Sequence, residues 1–150
     1  MTDIVMRAFQ PSDQVETKAL IEAGLKERFD PYLEDYNLDL NDLERYHLTM
    51  FVAIVDDQIA ACGGLTLASE TTVRITRMST KLEFRGRGLA KLILERLIFE
   101  AQDRGFSRLK IVVFRVCCSK QTRIGQMRYG CTNGLAFARF AISFSTLPSS

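Results

Sequence analysis

The run Arg85-Gly86-Arg87-Gly88 stands where one hydrophobic period gives way to another, and this junction constrains the fold more than any other feature of the chain. Residues 73–80 read as a strand. After the glycines, Leu89, Leu92, Ile93, Leu97 and Ala101 recur at helical spacing, with Leu94 and Ile98 widening the face. Residues 85–90 form the turn between them. A helix start leaves backbone N–H groups unpaired and carries the positive end of the dipole, so such a turn favours an anion such as a phosphate. Gly86 and Gly88 accept positive φ and let a ligand come close. Arg85 and Arg87 add charged, fork-shaped donors. Lys91 stands where a dinucleotide fingerprint needs its third glycine, and no P-loop run exists. A single arginine–glycine copy inside a folded pattern also differs from a nucleic-acid-binding tract.

This stretch resembles the acetyl-CoA-binding motif of the GNAT acetyltransferase superfamily, Gln/Arg-x-x-Gly-x-Gly/Ala, filled here by Arg85, Gly88 and Ala90. The resemblance covers about residues 3–114 in element order as well as in the motif. It implies that the backbone amides of Gly86, Arg87, Gly88, Leu89 and Ala90 hold the CoA pyrophosphate. It implies that the main chain at Met78 and Thr80 binds the pantetheine arm, with one of their N–H groups near the thioester oxygen. Acetyl-CoA is then the co-substrate, and the acceptor is a primary amine on a small molecule, peptide or protein. An ammonium has no lone pair, so the amine must first lose a proton. Glu70, just before the strand that enters the turn, is the nearest candidate base, with Glu83 closer to the phosphates. An acid found on this strand in some relatives falls here on Arg74, which stays protonated. Tyr129 is the tyrosine available to protonate the leaving thiolate. The acidic, tyrosine-rich stretch 32–47 holds Tyr32, Asp35, Asp39 and Tyr46, which could receive a cationic amine.

At 150 residues the chain is long enough for one domain with a sizeable core. Hydrophobic residues at 47% and charged residues at 25% match an ordinary globular protein. No apolar run reaches membrane-span length and no signal-peptide pattern opens the chain, so a cytoplasmic location is the expectation. Four cysteines without Cys-x-x-Cys spacing and one histidine argue against a zinc site and for reduced thiols.

Residues 4–9 read as the first strand. A helix follows Pro11, with Ser12 as its cap and Val15, Ala19, Ile21, Leu25 and Phe29 as its apolar face. Asp30-Pro31 ends it. A short helix is expected over 41–46. Strands at 50–55 and 59–67 make a hairpin about a turn at 56–58. Gly63-Gly64 marks a bulge or a close backbone approach. A strand over 109–116 follows the long helix. The order β-α-α-β-β-β-α-β gives an α/β (α+β) chain with a mixed, mostly antiparallel sheet flanked by helices. The helical crossover makes the strands on either side of it parallel.

The resemblance stops after Val116. Residues 1–103 hold 12 basic and 18 acidic side chains, whereas residues 104–150 hold 8 basic and none acidic. The family pattern calls for a helix opening on Asn-x-x-Ala and carrying a tyrosine. Asn133 and Ala136 match that spacing, but the tyrosine position falls on Phe140. We therefore divide the chain into a core over 1–116 and an atypical basic tail over 117–150, which is either a divergent C-terminus or one read from a shifted or replaced 3′ end. Independent transcripts carrying this tail in one continuous frame would contradict the latter origin. The tail lacks the lysine–arginine density of a nucleic-acid partner, and a homodimer is left open.

Overall fold

The computed structural model describes residues 3–28, 31–116, 130–132 and 135–143, with side chains described as far as Ile111. Its strands are β1 (Ile4–Ala8), β2 (Thr49–Val55), β3 (Gln58–Leu67), β4 (Thr72–Thr80), β5 (Arg108–Val116), β6 (Gly130–Thr132) and β7 (Leu135–Ser143). The helices are α1 (Gln14–Arg28), α2 (Leu43–Tyr46) and α3 (Leu89–Asp103). One sheet joins the strands in the order β1-β2-β3-β4-β5-β7-β6. All neighbours are antiparallel except β4 and β5, which α3 connects as a parallel crossover. The order expected up to Val116 is the one observed.

Period-two alternation divides the apolar side chains of β2 between two layers. Phe51, Ala53 and Val55 pack with Leu89, Ile93 and Leu97 of α3. Met50 and Val52 pack with Leu20 and Ile21 of α1 and with Leu40 and Leu43 of the connection. Both faces are covered, so the strand reads as a continuous apolar run. Asp56 and Asp57, both at positive φ, make the two-residue turn of the β2–β3 hairpin, and Gln58 already belongs to β3.

Helix α1 departs from its expected face. Thr17, Leu20, Ile21 and Gly24 are buried, whereas Val15 is 80% exposed and Ala19 is exposed. The reason is steric. A Cβ at Gly24 would lie 2.7 Å from Ser79 Oγ, so the smallest residue of the helix faces the sheet. Phe29 lies outside the described residues. Ser12 is not the cap. A 3-10 turn over Pro11–Asp13 precedes α1, and the Asp13 carboxylate accepts the Gln10 N–H at 2.8 Å while holding Arg7 in a two-point ion pair. The short helix starts at Leu43, capped by Asp42 Oδ1 on Arg45 N–H.

His47 follows that helix and is buried against Gly64. Its Nδ1 lies 2.9 Å from the Leu43 carbonyl, which fixes it as the N–H donor. Nε2 has no partner among the described residues. Burial holds the imidazole below its ordinary 6.5, against the opposing pull of the Leu43 carbonyl and Asp39. The folded protein therefore binds fewer protons than the unfolded chain as pH falls through 6.5. Stability is complete above that value and declines as pH drops toward the folded-state value. Urea midpoints measured at about pH 8 and about pH 5.5 should differ in the wild type and converge in His47→Gln. Equal slopes in both proteins would exclude His47 as the cause.

Candidate active site

The two glycines of the β4–α3 turn adopt the conformation that only glycine takes cheaply, with φ of 79° at Gly86 and 81° at Gly88. Gly88 is the N-cap of α3. Among the described residues no side chain caps the helix, and no acid lies in its first turn. The first-turn N–H groups, from Leu89 and Ala90 on, thus face outward unpaired by any cap. A Cβ built on Gly86 or Gly88 meets nothing among the described residues within 4 Å, so they leave the space before the turn open. An anionic group fits there on geometry alone.

Arg85 does not project freely into that space. Its Nη1 and Nη2 donate to the two Glu27 carboxylate oxygens at 2.9 and 2.6 Å, and its Nε donates to the Thr80 carbonyl at 3.2 Å. It ties the end of α1 and the end of β4 to the turn, and it holds Glu27 below the usual carboxylate range. Arg87 lies over the Phe84 ring at 5.3 Å and makes no ion pair among the described residues.

Upstream of the turn, β4 is distorted. Cys62 pairs with Ser79 and Gly64 with Thr76, so Gly63 faces both Arg77 and Met78 and one extra residue is bulged out of β4. Arg77 takes φ of 57°, a left-handed conformation that costs a non-glycine residue about 1–2 kcal/mol. Its guanidinium offsets this strain by gripping the connection before α2. Nε and Nη2 donate to the two Asp39 oxygens and Nη1 donates to Asn37 Oδ1 at 3.0 Å. The expected Gly63-Gly64 irregularity is thus present, and both glycines are close approaches. A Cβ at Gly63 would lie 2.7 Å from Ile93 Cγ2, and one at Gly64 2.7 Å from His47 Cδ2.

Alongside this distortion the sheet opens. The β4–β5 ladder runs from Thr72–Arg108 to Ile75–Ile111 and stops, while β4 continues to Thr80. That edge of β4 has no strand partner among the described residues from Thr76 onward. A cleft of about 640 Å³ lies here. Gly24 and Arg28 of α1 form one wall, and Asp39 and Tyr46 of the connection form another. Arg74, Thr76 and Met78 of β4 form the floor. Its volume suits a small molecule.

The expected residues divide between these places. Met78 lines the cleft, and Thr80 ends the open edge beside the turn formed by residues 85–90. Glu70 stands exposed in the β3–β4 turn and does not line the cleft. Neither do Tyr32 and Asp35. Asp39 does, but both its oxygens are occupied by Arg77, a pairing across 38 residues that no local pattern signals. Tyr129 and Asn133 lie outside the described residues, and Ala136 lies in a strand, β7, where the sequence match called for a helix. Cys62 is buried, donates to the Arg77 carbonyl and is pushed up to about 12 by burial, so it stays a thiol.

A sequence model described as the acetyltransferase (GNAT) family matches residues 9–116. The chain belongs to this family. It is 32% identical over 74 residues to the uncharacterized N-acetyltransferase YsnE of Bacillus subtilis, a match covering 49% of each chain. It thus spans about half the length of that relative. Among solved structures, a GNAT acetyltransferase of Staphylococcus aureus Mu50 superposes with a TM-score of 0.71 at 15% identity, covering 93% of this chain and 99% of that one. A GNAT acetyltransferase of Brucella melitensis in complex with acetyl-CoA superposes with a TM-score of 0.66 at 14% identity, covering 99% and 94%. At these identities the superpositions establish a shared fold. No helix among the described residues is long and apolar enough to cross a membrane.

Proposed function

We propose that this GNAT protein transfers an acetyl group from acetyl-CoA to a primary amine. The observation that carries the reading is the adjacency, among the described residues, of two features, an uncapped, glycine-opened N-terminus of α3 and an unpaired edge of β4 that leads straight into it. The first offers backbone N–H groups to a pyrophosphate. The second offers main-chain donors and acceptors to an extended arm, as an added strand would take them. Membership of the family supplies the co-substrate, and the fit of the turn to an anion supports it.

In this reading the amine nitrogen attacks the thioester carbonyl carbon. The new N–C bond forms as the C–S bond breaks, the sulfur leaves with the electron pair, and the nitrogen's proton passes to water. A β4 N–H at Met78 or Thr80 stabilises the developing oxyanion. The leaving thiolate needs little help, since a thiol has an ordinary pKa of about 8.5. The cleft beside that edge, walled by α1 and the connection before β2, receives the acceptor.

Arg87 is the cation at the turn without an acid partner among the described residues. Arg87→Ala should weaken acetyl-CoA binding about tenfold or more, the scale of one charge-assisted hydrogen bond, and the loss should shrink at high salt. Calorimetric titrations at two salt concentrations check this. Equal affinity for both proteins would remove Arg87 from the site. The reaction itself is tested by following thiol release from acetyl-CoA across a panel of primary amines, with the acetylated product identified by mass. Acetyl-CoA binding without thiol release above the background rate would favour a second reading, an acyl-CoA-binding module without turnover. The strand at 135–143, where the family pattern calls for a tyrosine-bearing helix, favours that reading.

A further inference from the structure

The charges lining the cleft do not suit a simple cation. Asp39 is the one acidic residue among the described lining groups, and Arg77 occupies both its oxygens. Arg28 and Arg74 also line the cleft, and neither makes an ion pair among the described residues. Lys110 is the direct partner of Arg74 in the parallel β4–β5 ladder, so the two cations share one face of the sheet. Like charges set opposite each other on neighbouring strands repel. Residues 104–150 hold no acidic side chain and so add no carboxylate side chain to relieve them. Two positions further along β4, the Thr76 hydroxyl also has no hydrogen-bond partner among the described residues.

We propose that the acceptor is a primary amine that also carries a carboxylate, an amino-acid-like molecule, and that Arg74 and Lys110 bind that carboxylate with Arg28 on the α1 wall. The proposal rests on the acetyl-transfer reading of the same site. A planar guanidinium matches a carboxylate with two parallel donors. Anchored there, the substrate places its amine farther along the cleft, toward Thr76 and the open edge of β4. The surrounding guanidinium charge does a second task. Nearby positive charge disfavours an ammonium, so a larger fraction of the acceptor holds a free lone pair near neutral pH. This accounts for a cleft whose one carboxylate is already engaged.

The test holds acetyl-CoA fixed and compares glycine, L-alanine, L-phenylalanine and L-glutamate with their α-amides and with the amines that lack the carboxyl group. An α-amide has the more readily deprotonated amine, so a preference for the acid runs against intrinsic reactivity. Thiol release gives kcat/KM, and calorimetric titration of the same compounds into protein saturated with CoA gives binding without turnover. At least one acid should exceed its amide about tenfold or more in both readouts. Arg74→Gln should remove that margin and move the ascending limb of the pH–rate profile upward, Arg74→Lys should keep the charge but not the two-donor fork and so only part of the margin, and acetyl-CoA affinity should be unchanged in both. Both substitutions fall on an exposed side chain, and thermal unfolding confirms that the variants fold. Acids no better than amides in either readout, or a margin that survives Arg74→Gln and Lys110→Gln, would overturn the proposal. Acetyl-CoA that binds while no carboxylate acceptor binds or reacts would overturn the proposal alone. Failure of acetyl-CoA to bind would remove the acetyl-transfer reading and this proposal with it.

Discussion

Gly88→Val abolishes the response to acetyl-CoA while leaving a folded protein. Two independent features of the position lead to this expectation. Gly88 has φ of 81°, where valine costs about 1–2 kcal/mol, a loss that a domain of typical stability survives. Its Cβ would meet no atom of the described residues within 4 Å, so the new side chain projects into the space before α3 and not into the core. In the proposed function that space is where an anion reaches the first-turn N–H groups. Affinity should fall by about a hundredfold or more, the loss of two charge-assisted hydrogen bonds. Gly105 provides the control. It has φ of 82° and equally open surroundings, but it lies at the C-terminal end of α3. Gly105→Val should cost similar stability and retain acetyl-CoA binding, as seen by calorimetric titration of both variants. Equal affinity in the two would show that the turn is not the pyrophosphate site.

Gly63→Val should produce the largest loss of stability. Gly63 faces the Arg77–Met78 bulge, and a Cβ there would lie 2.7 Å from Ile93 Cγ2 and 3.1 Å from Leu97 Cδ1, with Met78 Sδ nearer still. Ile93 and Leu97 are fully buried on α3. Relief requires moving α3 off the sheet or pressing the bulge flat, and either move alters the open edge of β4. Overpacking of this kind costs about 3 kcal/mol, at the upper end for such changes and a large share of the stability of an ordinary domain. Urea denaturation measures it. In the fraction that still folds, acetyl-CoA affinity should drop as well, because Met78 and the turn shift together. An unchanged midpoint would mean that β3 and α3 have room to spare at the bulge, contrary to the geometry above.

Strand and helix order was legible from the sequence because strong periodicity marks those elements. In β2 both phases are apolar and in α3 one face is. The α1 face was not legible, since it is defined by Thr17 and Gly24, residues that hydrophobic spacing passes over. The irregularity in β3 was legible from adjacent glycines. Its counterpart in β4 was not, because an arginine at positive φ has no local signature and depends on Asp39 and Asn37 about 40 residues earlier. The same long-range pairing reverses the expected electrostatics of the cleft. Asp39 was expected to receive a cationic amine, and the fold commits it to Arg77. Glu70 seemed near the site only along the chain, and the turn that holds it is exposed. Arg85 was legible as the motif residue, but Glu27, 58 residues away, decides where it points.

We propose that the β4–α3 junction is an acetyl-CoA site. Thermal unfolding of the wild-type protein against rising acetyl-CoA tests it most directly. A ligand that binds only the folded state should add about 2.7 kcal/mol at 100 times its dissociation constant, which for a chain of this size raises Tm by about 5–10 °C. A dose-dependent rise of that order, retained in Gly105→Val and lost in Gly88→Val, is the predicted result. A cooperative transition that does not move at any acetyl-CoA concentration would contradict the account.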